Sequence, residues 1–447
     1  MPSTRAAFHE TATLIPVAGH LERVLEALRV DARARVAAPG GTESVRLADA
    51  AGRVLAIPVD AVIASPPFDN SAMDGFAVRW ADVAGATPEA PVALQVVADH
   101  AAGSTEVLDA PSIGRGECAR IMTGAPLPAG ADTVVPVERT DGGTSGEGAA
   151  HLVQVFSAPD RGRHIRRAGE DLAVGDRLLD AGLLLGPRHV AAAATAGCAS
   201  LEVVRRPRVA VVATGSELTE PGEALLPGRI PDSNSLLLAG LVRDAGCEVA
   251  EVVRMPDDEQ LLRAWLDERE AADAVVFSGG VSVGAYDVVR RVLSAIGTVD
   301  FVRVAMQPGS PQAFGRLADG TPVFGLPGNP VAVAVSFEVF VRPALLALQG
   351  LASVQRRRVR AVATTGWDSP VGRLQVMPVA FVETRCDATM PDDAGAAFDG
   401  LRVRPATRGG AGSHLSGGLA AASGFAVVPE QVERVEAGDE VDVLVTP

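Results

Sequence analysis

Between residues 206 and 348, apolar runs alternate with amphipathic stretches, a rhythm of strand, loop and helix that predicts a doubly wound, mostly parallel sheet. Strands are expected at 209–213, 247–253, 274–278, 301–305 and 323–326, nearly continuous apolar runs of the kind parallel strands need when helices cover both faces. Asp232, Ser233 or Asn234 can cap a helix over 236–244 that Gly246 closes, and Asp257 or Asp258 can cap another over 260–270. Residues 331–335 alternate like a strand. They follow Asn329-Pro330, however, and the stretch stays largely apolar to Leu348, too long for a typical strand, which predicts a buried helix.

The flanks read differently. Apolar Leu21, Val24, Leu25 and Leu28 predict a helix over 17–30 that 33–42 breaks. From 65 to 151 short β-type runs such as 91–97 and 133–137 are punctuated by Gly, Pro and Asp, the pattern of a small β-rich domain. The glycine-rich 141–148 reads as a flexible excursion, and the basic 161–167 suits a solvated surface as well as a functional one. Beyond Gln349, runs at 359–363, 374–381 and 425–428 predict a terminal β-domain.

Composition narrows the classes of function. At 447 residues the chain is expected to hold about three domains, at about 150 residues each, and its 47% hydrophobic and 21% charged residues are those of a globular protein. Acidic residues outnumber basic ones by 55 to 40, and the net charge of −15 repels nucleic acid and acidic membrane surfaces. Aromatic residues make up 4%, with Tyr286 the single tyrosine, which removes the stacking platforms of single-strand binding. Cys118, Cys198, Cys247 and Cys386 are far apart, with no C-x-x-C, and are expected as reduced thiols; the histidines lack metal-ligand spacing. The first residues show no signal pattern and 13–17 is too short to span a bilayer, so a cytoplasmic protein is expected.

Candidate chemistry collects at the predicted strand ends, where α/β sheets bind ligands. The first strand runs into Thr214-Gly215-Ser216-Glu217-Leu218: a glycine for close backbone approach, two hydroxyls and a carboxylate. An ordinary strand-to-helix turn would also explain it. The third runs into Ser278-Gly279-Gly280-Val281-Ser282-Val283-Gly284, where paired glycines can present amides as an anion-binding nest and Ser278 and Ser282 can add donors. Asp287 follows, and alone reads equally as a helix cap. Pro308-Gly309-Ser310-Pro311 and Gly325-Leu326-Pro327-Gly328-Asn329-Pro330 close the fourth and fifth strands with rigid turns at the same edge. Glu217, Asp232 and Asp287 beside a phosphate nest would repel an anion without a hard divalent cation, so bound Mg²⁺ is expected.

These strings resemble those of the molybdopterin molybdenumtransferase family, the MoeA and gephyrin E-domain proteins. The resemblance spans essentially the whole chain. It also rests on Phe68-Asp69-Asn70-Ser71-Ala72-Met73-Asp74-Gly75-Phe76-Ala77, Ile121-Met122-Thr123-Gly124-Ala125, Gly169-Glu170-Asp171 and Asp232-Ser233-Asn234. It implies an enzyme that inserts molybdate into adenylylated molybdopterin and releases AMP with a divalent cation. It further implies a metal near Asp232 and Asp287, with Glu217 a third candidate ligand, and a phosphate held over 278–284. An elongated homodimer is implied, in which Asp74 and Thr123 of one subunit complete the site of the other; alone, both read as turn residues. The Gly412-Ser413-His414 turn resembles the family's turn near the oxyanion, making Ser413 a weaker candidate. The molybdopterin adenylyltransferase is a candidate partner; nucleic acid and membrane are not.

Pattern and resemblance together divide the chain into an elongated linking domain (1–64 with 155–185), a small β-rich domain (65–154), an α/β molybdopterin-binding domain (186–350) and a β-barrel-like domain (351–447). The expected fold class is α/β plus β. One departure stands out: the family's Lys-Pro-Gly-Lys-Pro reads Gln307-Pro308-Gly309-Ser310-Pro311 here, two cations fewer where an oxyanion is expected. Arg303, Arg316 and Arg373 are candidate replacements. Two other readings stay open: a scaffold or molybdopterin-binding paralogue without insertion activity, and a molybdopterin adenylyltransferase.

Overall fold

The 21-residue helix α1 (Val17–Ala37) opens the described chain and packs on a sheet that the apolar runs of the middle segment build. In chain order that sheet and its helices are β1 (Arg208–Thr214), α2 (Asn234–Asp244), β2 (Glu248–Met255), α3 (Glu259–Glu268), β3 (Ala274–Ser278), α4 (Val288–Ile296), β4 (Thr298–Arg303), β5 (Pro311–Arg316), β6 (Pro322–Leu326) and α5 (Pro330–Leu348). The computed structural model describes residues 14–103, 112–143, 151–281, 288–382, 400–407 and 416–446. Two units are distinguished: Met1–Glu43, Gly52–Ala56 and Val203–Pro447 form one, and Ser44–Ala51 with Ile57–Glu202 form the other.

In the first unit the strand order is β2-β1-β3-β6-β5-β4. The pairs β2/β1, β1/β3 and β3/β6 are parallel, as expected from the nearly continuous apolar runs. β5 and β4 are antiparallel, which makes the sheet mixed. The expected strand at 301–305 lies at 298–303, and β5 was not anticipated because Pro311 and Gly315 break its pattern. Gly315 is a demand of pairing: a β-carbon there would stand 2.0 Å from the Thr298 carbonyl oxygen.

Both faces of the sheet are covered. On one, Val209, Val211, Val276 and Leu326 pack with Leu238 and Val242 of α2, Val333, Phe337 and Leu345 of α5, and Val24 and Leu28 of α1. On the other, Ala210, Val212, Val275 and Phe277 meet Leu262 of α3 and Val289, Val292 and Leu293 of α4. α1 thus packs on the α/β sheet. It also continues past residue 33, where a break was expected. Ala32 is buried, Arg35 pairs with Asp273 at 3.0 Å, and the first helix-breaking pair, Pro39-Gly40, comes only afterwards.

α5 is the buried helix anticipated from its length. It is apolar enough to cross a bilayer by composition, yet 89% of its apolar window is buried within the protein. Its middle, Phe337–Val341, widens into a π turn just before Pro343, which has no amide hydrogen to donate. Glu338 sits in that turn with its side chain 2% exposed. Arg356 donates to both of its carboxylate oxygens, at 2.6 and 3.2 Å, and Arg342 stands 3.9 Å away.

The terminal segment closes into a barrel. Leu374–Val382 pairs with Arg402–Pro405, which pairs with Arg358–Ala363, then Glu440–Val445, then Gly424–Val428, which returns to Leu374–Val382. Ala361, Met377, Val379, Val403, Ala426 and Val443 fill its interior. Met306–Gln307 adds to the barrel alongside Leu374–Val382.

In the second unit, Thr133–Pro136, Gly75–Val78, Glu117–Ile121, Val92–His100 and Leu152–Val155 form a five-stranded sheet in that order. Phe76, Cys118, Val135 and Val153 pack in its core. Cys118 and Cys247 are free and buried, and desolvation pushes both thiols up to about 12, so neither is reactive at neutral pH. Cys198 is free too; Cys386 lies outside the described residues.

Removing the Glu338 carboxylate leaves two guanidinium groups facing each other in partly buried surroundings. Glu338→Ala is expected to cost about 3–5 kcal/mol of stability, read as a lowered urea unfolding midpoint.

Candidate functional site

The carboxyl ends of β1, β2, β3 and β6 border one cavity of about 460 Å³. Its walls are Thr214, Gly215 and Glu217 after β1, Asp257 after β2, Ser278, Gly279 and Gly280 after β3, and Pro327 to Pro330 after β6. Asp232, Ser233 and Asn234, which lead into α2, complete it. Of the strand exits expected to converge, those after β1, β3 and β6 border this cavity; the exit at 307–311 contributes only Pro311, and the exit after β2 was not among those expected.

Two glycines make the approach possible. Gly279 and Gly280 hold φ of +94° and +70°, left-handed values that favour glycine. A β-carbon on Gly279 would stand 2.7 Å from the Thr214 carbonyl oxygen. The Gly279 amide donates to the Leu326 carbonyl at 3.0 Å, so it ties β3 to β6 rather than facing a ligand. The Gly279 amide is therefore not available to the anion nest expected of this loop.

The polar groups divide by partner. Asp232 is 3% exposed; its Oδ1 accepts from the Ser235 amide at 3.1 Å and its Oδ2 from the Ser235 hydroxyl at 2.5 Å. It is the side chain that caps α2. Ser216 does not line the cavity: its hydroxyl accepts from the Asp257 amide at 3.1 Å, and its own amide donates to Asp257 Oδ2 at 3.2 Å. Asp258 takes the capping role for α3, accepting from the amides of Gln260 and Leu261, which frees Asp257 for Ser216. Thr214 is 8% exposed and its hydroxyl is buried without a partner.

Asn234 does more than the helix-start role read from sequence. Its Nδ2 donates to Ser278 Oγ at 2.8 Å and to the Gly328 carbonyl at 2.6 Å, joining two loops across the cavity. Sequence reasoning read Asp257 only as a cap, and Asn234 as a cap and as part of the Asp232-Ser233-Asn234 string. The signal was their position, each just beyond an apolar element and next to a second polar residue that could cap in its place.

The turn at 307–311 stands mostly apart, since Pro311 lines the cavity and Pro308, Gly309 and Ser310 do not. Ser310 Oγ donates to the Val304 carbonyl at 2.9 Å, and the Gly309 carbonyl accepts from Gln312 Nε2 at 2.6 Å. Ser310 is thus engaged by the protein itself. Arg316 pairs with Asp31 at 2.9 Å and donates to the Gly320 carbonyl at 3.0 Å, which removes it as a replacement cation. Ser282, Gly284, Asp287 and Ser413 lie outside the described residues.

In the second unit Asp74 and Thr123 come together. Asp74 Oδ1 accepts from the Thr123 amide at 2.8 Å and from its hydroxyl at 2.7 Å. The amide bond first, and the hydroxyl bond second, hold the exposed Asp74 carboxyl below the usual aspartate range. Gly75 is demanded here, since a β-carbon would stand 2.0 Å from the Val135 carbonyl oxygen. Asp69, in the same segment, accepts from Arg167 at 2.5 Å and from the Ala168 amide at 2.8 Å.

Three family models match the chain: the MoeA N-terminal region (domain I and II) over residues 15–197, a probable molybdopterin binding domain over 210–347, and the MoeA C-terminal region (domain IV) over 360–446. Molybdopterin molybdenumtransferase 2 of Mycobacterium tuberculosis is 42% identical over 407 residues, 90% of this chain and 94% of its own length. Molybdopterin molybdenumtransferase of Haemophilus influenzae is 33% identical over 91% of this chain and 94% of its own. A solved molybdopterin biosynthesis MoeA protein from Pyrococcus horikoshii superposes with a TM-score of 0.75 at 30% identity, covering 97% of this chain and 99% of its own.

Thr123→Val deletes the hydroxyl bond to Asp74 and keeps the amide bond. The Asp74 carboxyl is expected to titrate at higher pH than in the wild type, though still below an unpaired aspartate, in an NMR pH titration. The sign follows from linkage: a depressed carboxyl adds stability above its unfolded pKa, and that is lost as pH falls through its folded pKa.

Proposed function

This chain belongs to the molybdopterin molybdenumtransferase (MoeA) family of molybdenum cofactor biosynthesis, and from that premise we propose that it inserts molybdate into adenylylated molybdopterin with release of AMP. One observation supports this reading above the rest: polar loops from four strand ends border a single cavity with a left-handed glycine pair on one side and carboxylates on the other. That is the arrangement a diphosphate with an accompanying cation needs.

The residues divide the work. Amides from Gly280 onward cradle a phosphate, with the Ser278 hydroxyl as a further donor. Thr214 and Gly215 let the ligand approach the backbone at the end of β1, and the Pro327-Gly328-Asn329 turn closes the opposite side. Asp232, held in one orientation by Ser235, and Glu217 both line the cavity. Among the described residues no group of three histidine, cysteine or acidic side chains could grip an ion by itself. Two hard oxygen donors beside a phosphate cradle nonetheless fit Mg²⁺, which is held by one or two carboxylates together with waters and phosphate oxygens. Asp232, Glu217 and Asp287 would hold it, and its charge would neutralise the diphosphate as the bond to AMP breaks.

The proposal extends to assembly. In a homodimer, Asp74 and Thr123 of one subunit complete the site of the other, where the preformed Asp74–Thr123 pair offers a carboxylate that stays ionised to low pH. Ser413 faces the oxyanion in the same reading, the protein works in the cytoplasm, and the molybdopterin adenylyltransferase supplies the intermediate. Gln307 and Ser310 favour a second reading. They replace two lysines of the family pattern, and Ser310 has its hydroxyl bonded to Val304, so a scaffold or molybdopterin-binding paralogue would need nothing more from this turn. Insertion instead requires Arg303 or Arg373 to supply the missing charge.

Purified protein given adenylylated molybdopterin, molybdate and Mg²⁺ is expected to release AMP in a molybdate-dependent way. AMP-free reaction mixtures would support the scaffold. Asp287→Asn is expected to keep the fold and slow AMP release by about 100-fold, the scale of losing one group that stabilises the transition state. Wild-type turnover in that variant would remove Asp287 from the site.

A further inference from the structure

Asn234 stands where three loops meet, and the chemistry of its neighbours fixes how its side chain is oriented. The Gly328 carbonyl only accepts hydrogen bonds, so the Asn234 NH₂ group, 2.6 Å away, points at it. The same nitrogen donates to Ser278 Oγ at 2.8 Å. Ser278 therefore acts as acceptor toward Asn234, and its own hydrogen remains for a different acceptor.

The opposite end of the amide carries the second observation. Asn234 Oδ1 is buried and has no hydrogen-bond donor, and the Thr214 hydroxyl, on the same cavity wall, is buried without a partner as well. Buried polar atoms in native structures are nearly always satisfied, and both orphans belong to residues that line this cavity, where an arriving ligand can complete them. Their chemistry defines it: Oδ1 calls for a donor, while the Ser278 hydrogen calls for an acceptor.

We propose that Asn234 is the positioning residue of the phosphate subsite, its NH₂ group holding Ser278 with the hydroxyl hydrogen aimed at a phosphate oxygen, and its Oδ1 accepting from a hydroxyl or water that arrives with the ligand. This rests on the nucleotide diphosphate occupying the cavity. Asn234 also ties the α2 start to the β3 and β6 loops, so the same two bonds that position Ser278 keep the cavity walls in register.

Binding of AMP to the full chain, by isothermal titration calorimetry, tests it. Asn234→Ala and Ser278→Ala are each expected to weaken AMP roughly tenfold, the scale of one hydrogen bond to a charged group, and the double variant to weaken it little beyond either single one. That non-additivity is what a merely structural role would not produce. Asn234→Asp keeps the side-chain volume and folds on shape alone. It loses both donations, and Ser278 then donates its hydrogen to the new carboxylate, so AMP binding is expected to be at least as weak as in Asn234→Ala. Wild-type affinity in either Asn234 variant, or a double variant weakened about a hundredfold, would overturn the proposal. A wild type that binds no AMP would remove the nucleotide reading and the proposal with it, whereas weakening by Ser278→Ala alone would remove only the role of Asn234.

Discussion

No side chain fits between the ends of β1 and β3. A β-carbon on Gly279 would press on the Thr214 carbonyl oxygen at 2.7 Å, and the backbone there holds φ of +94°, so steric room and conformation both demand glycine. Because the strand ends come this close, Gly279 can donate across to Leu326, and Ser278 stands within reach of Asn234. At this point backbone, rather than side chain, separates the two strand ends.

Charge poses the next problem. The protein carries a net charge of −15 and sets Glu217, Asp232 and Asp257 around a site read as binding a diphosphate. Hydrogen bonds orient two of these: Asp232 is anchored to Ser235, and Asp257 to the Ser216 amide. Bonding to neutral donors orders a carboxylate but leaves its charge in place. In the proposed reading, amide dipoles would hold the anion and a cation would offset its remaining repulsion.

The core and the site share an element. α5 starts at Pro330, directly after the turn that lines the cavity, and its buried apolar length holds that turn against the sheet. Proline at the first helical position has no amide hydrogen to leave unsatisfied, which suits a helix that begins beside a ligand. The 307–311 turn follows a different logic. Its polar groups bond to Val304 and Gln312, and Gln312 donates in turn to Ser336, so the turn that lacks the two lysines of the family pattern is internally stitched.

The local chemistry of this chain was legible one residue at a time. Nearly continuous apolar runs foretold β1, β3 and β6 because central parallel strands are apolar on both faces, and the excess length of 330–348 foretold a buried helix. The glycines at 279 and 280 marked a strand exit where backbone can come close, which depends only on their own lack of a β-carbon. Features that rest on distant partners were not legible. β5 was hidden because its glycine answers to Thr298 on the neighbouring strand. The continuation of α1 answers to Asp273, more than two hundred residues away. Asn234 and Asp257 read as caps until the sheet brought Ser278, Gly328 and Ser216 beside them. Sequence alone determined backbone preference and burial, which are properties of short segments; only the tertiary structure decided which donor meets which acceptor, because that pairing depends on how strands far apart in the chain are ordered in the sheet.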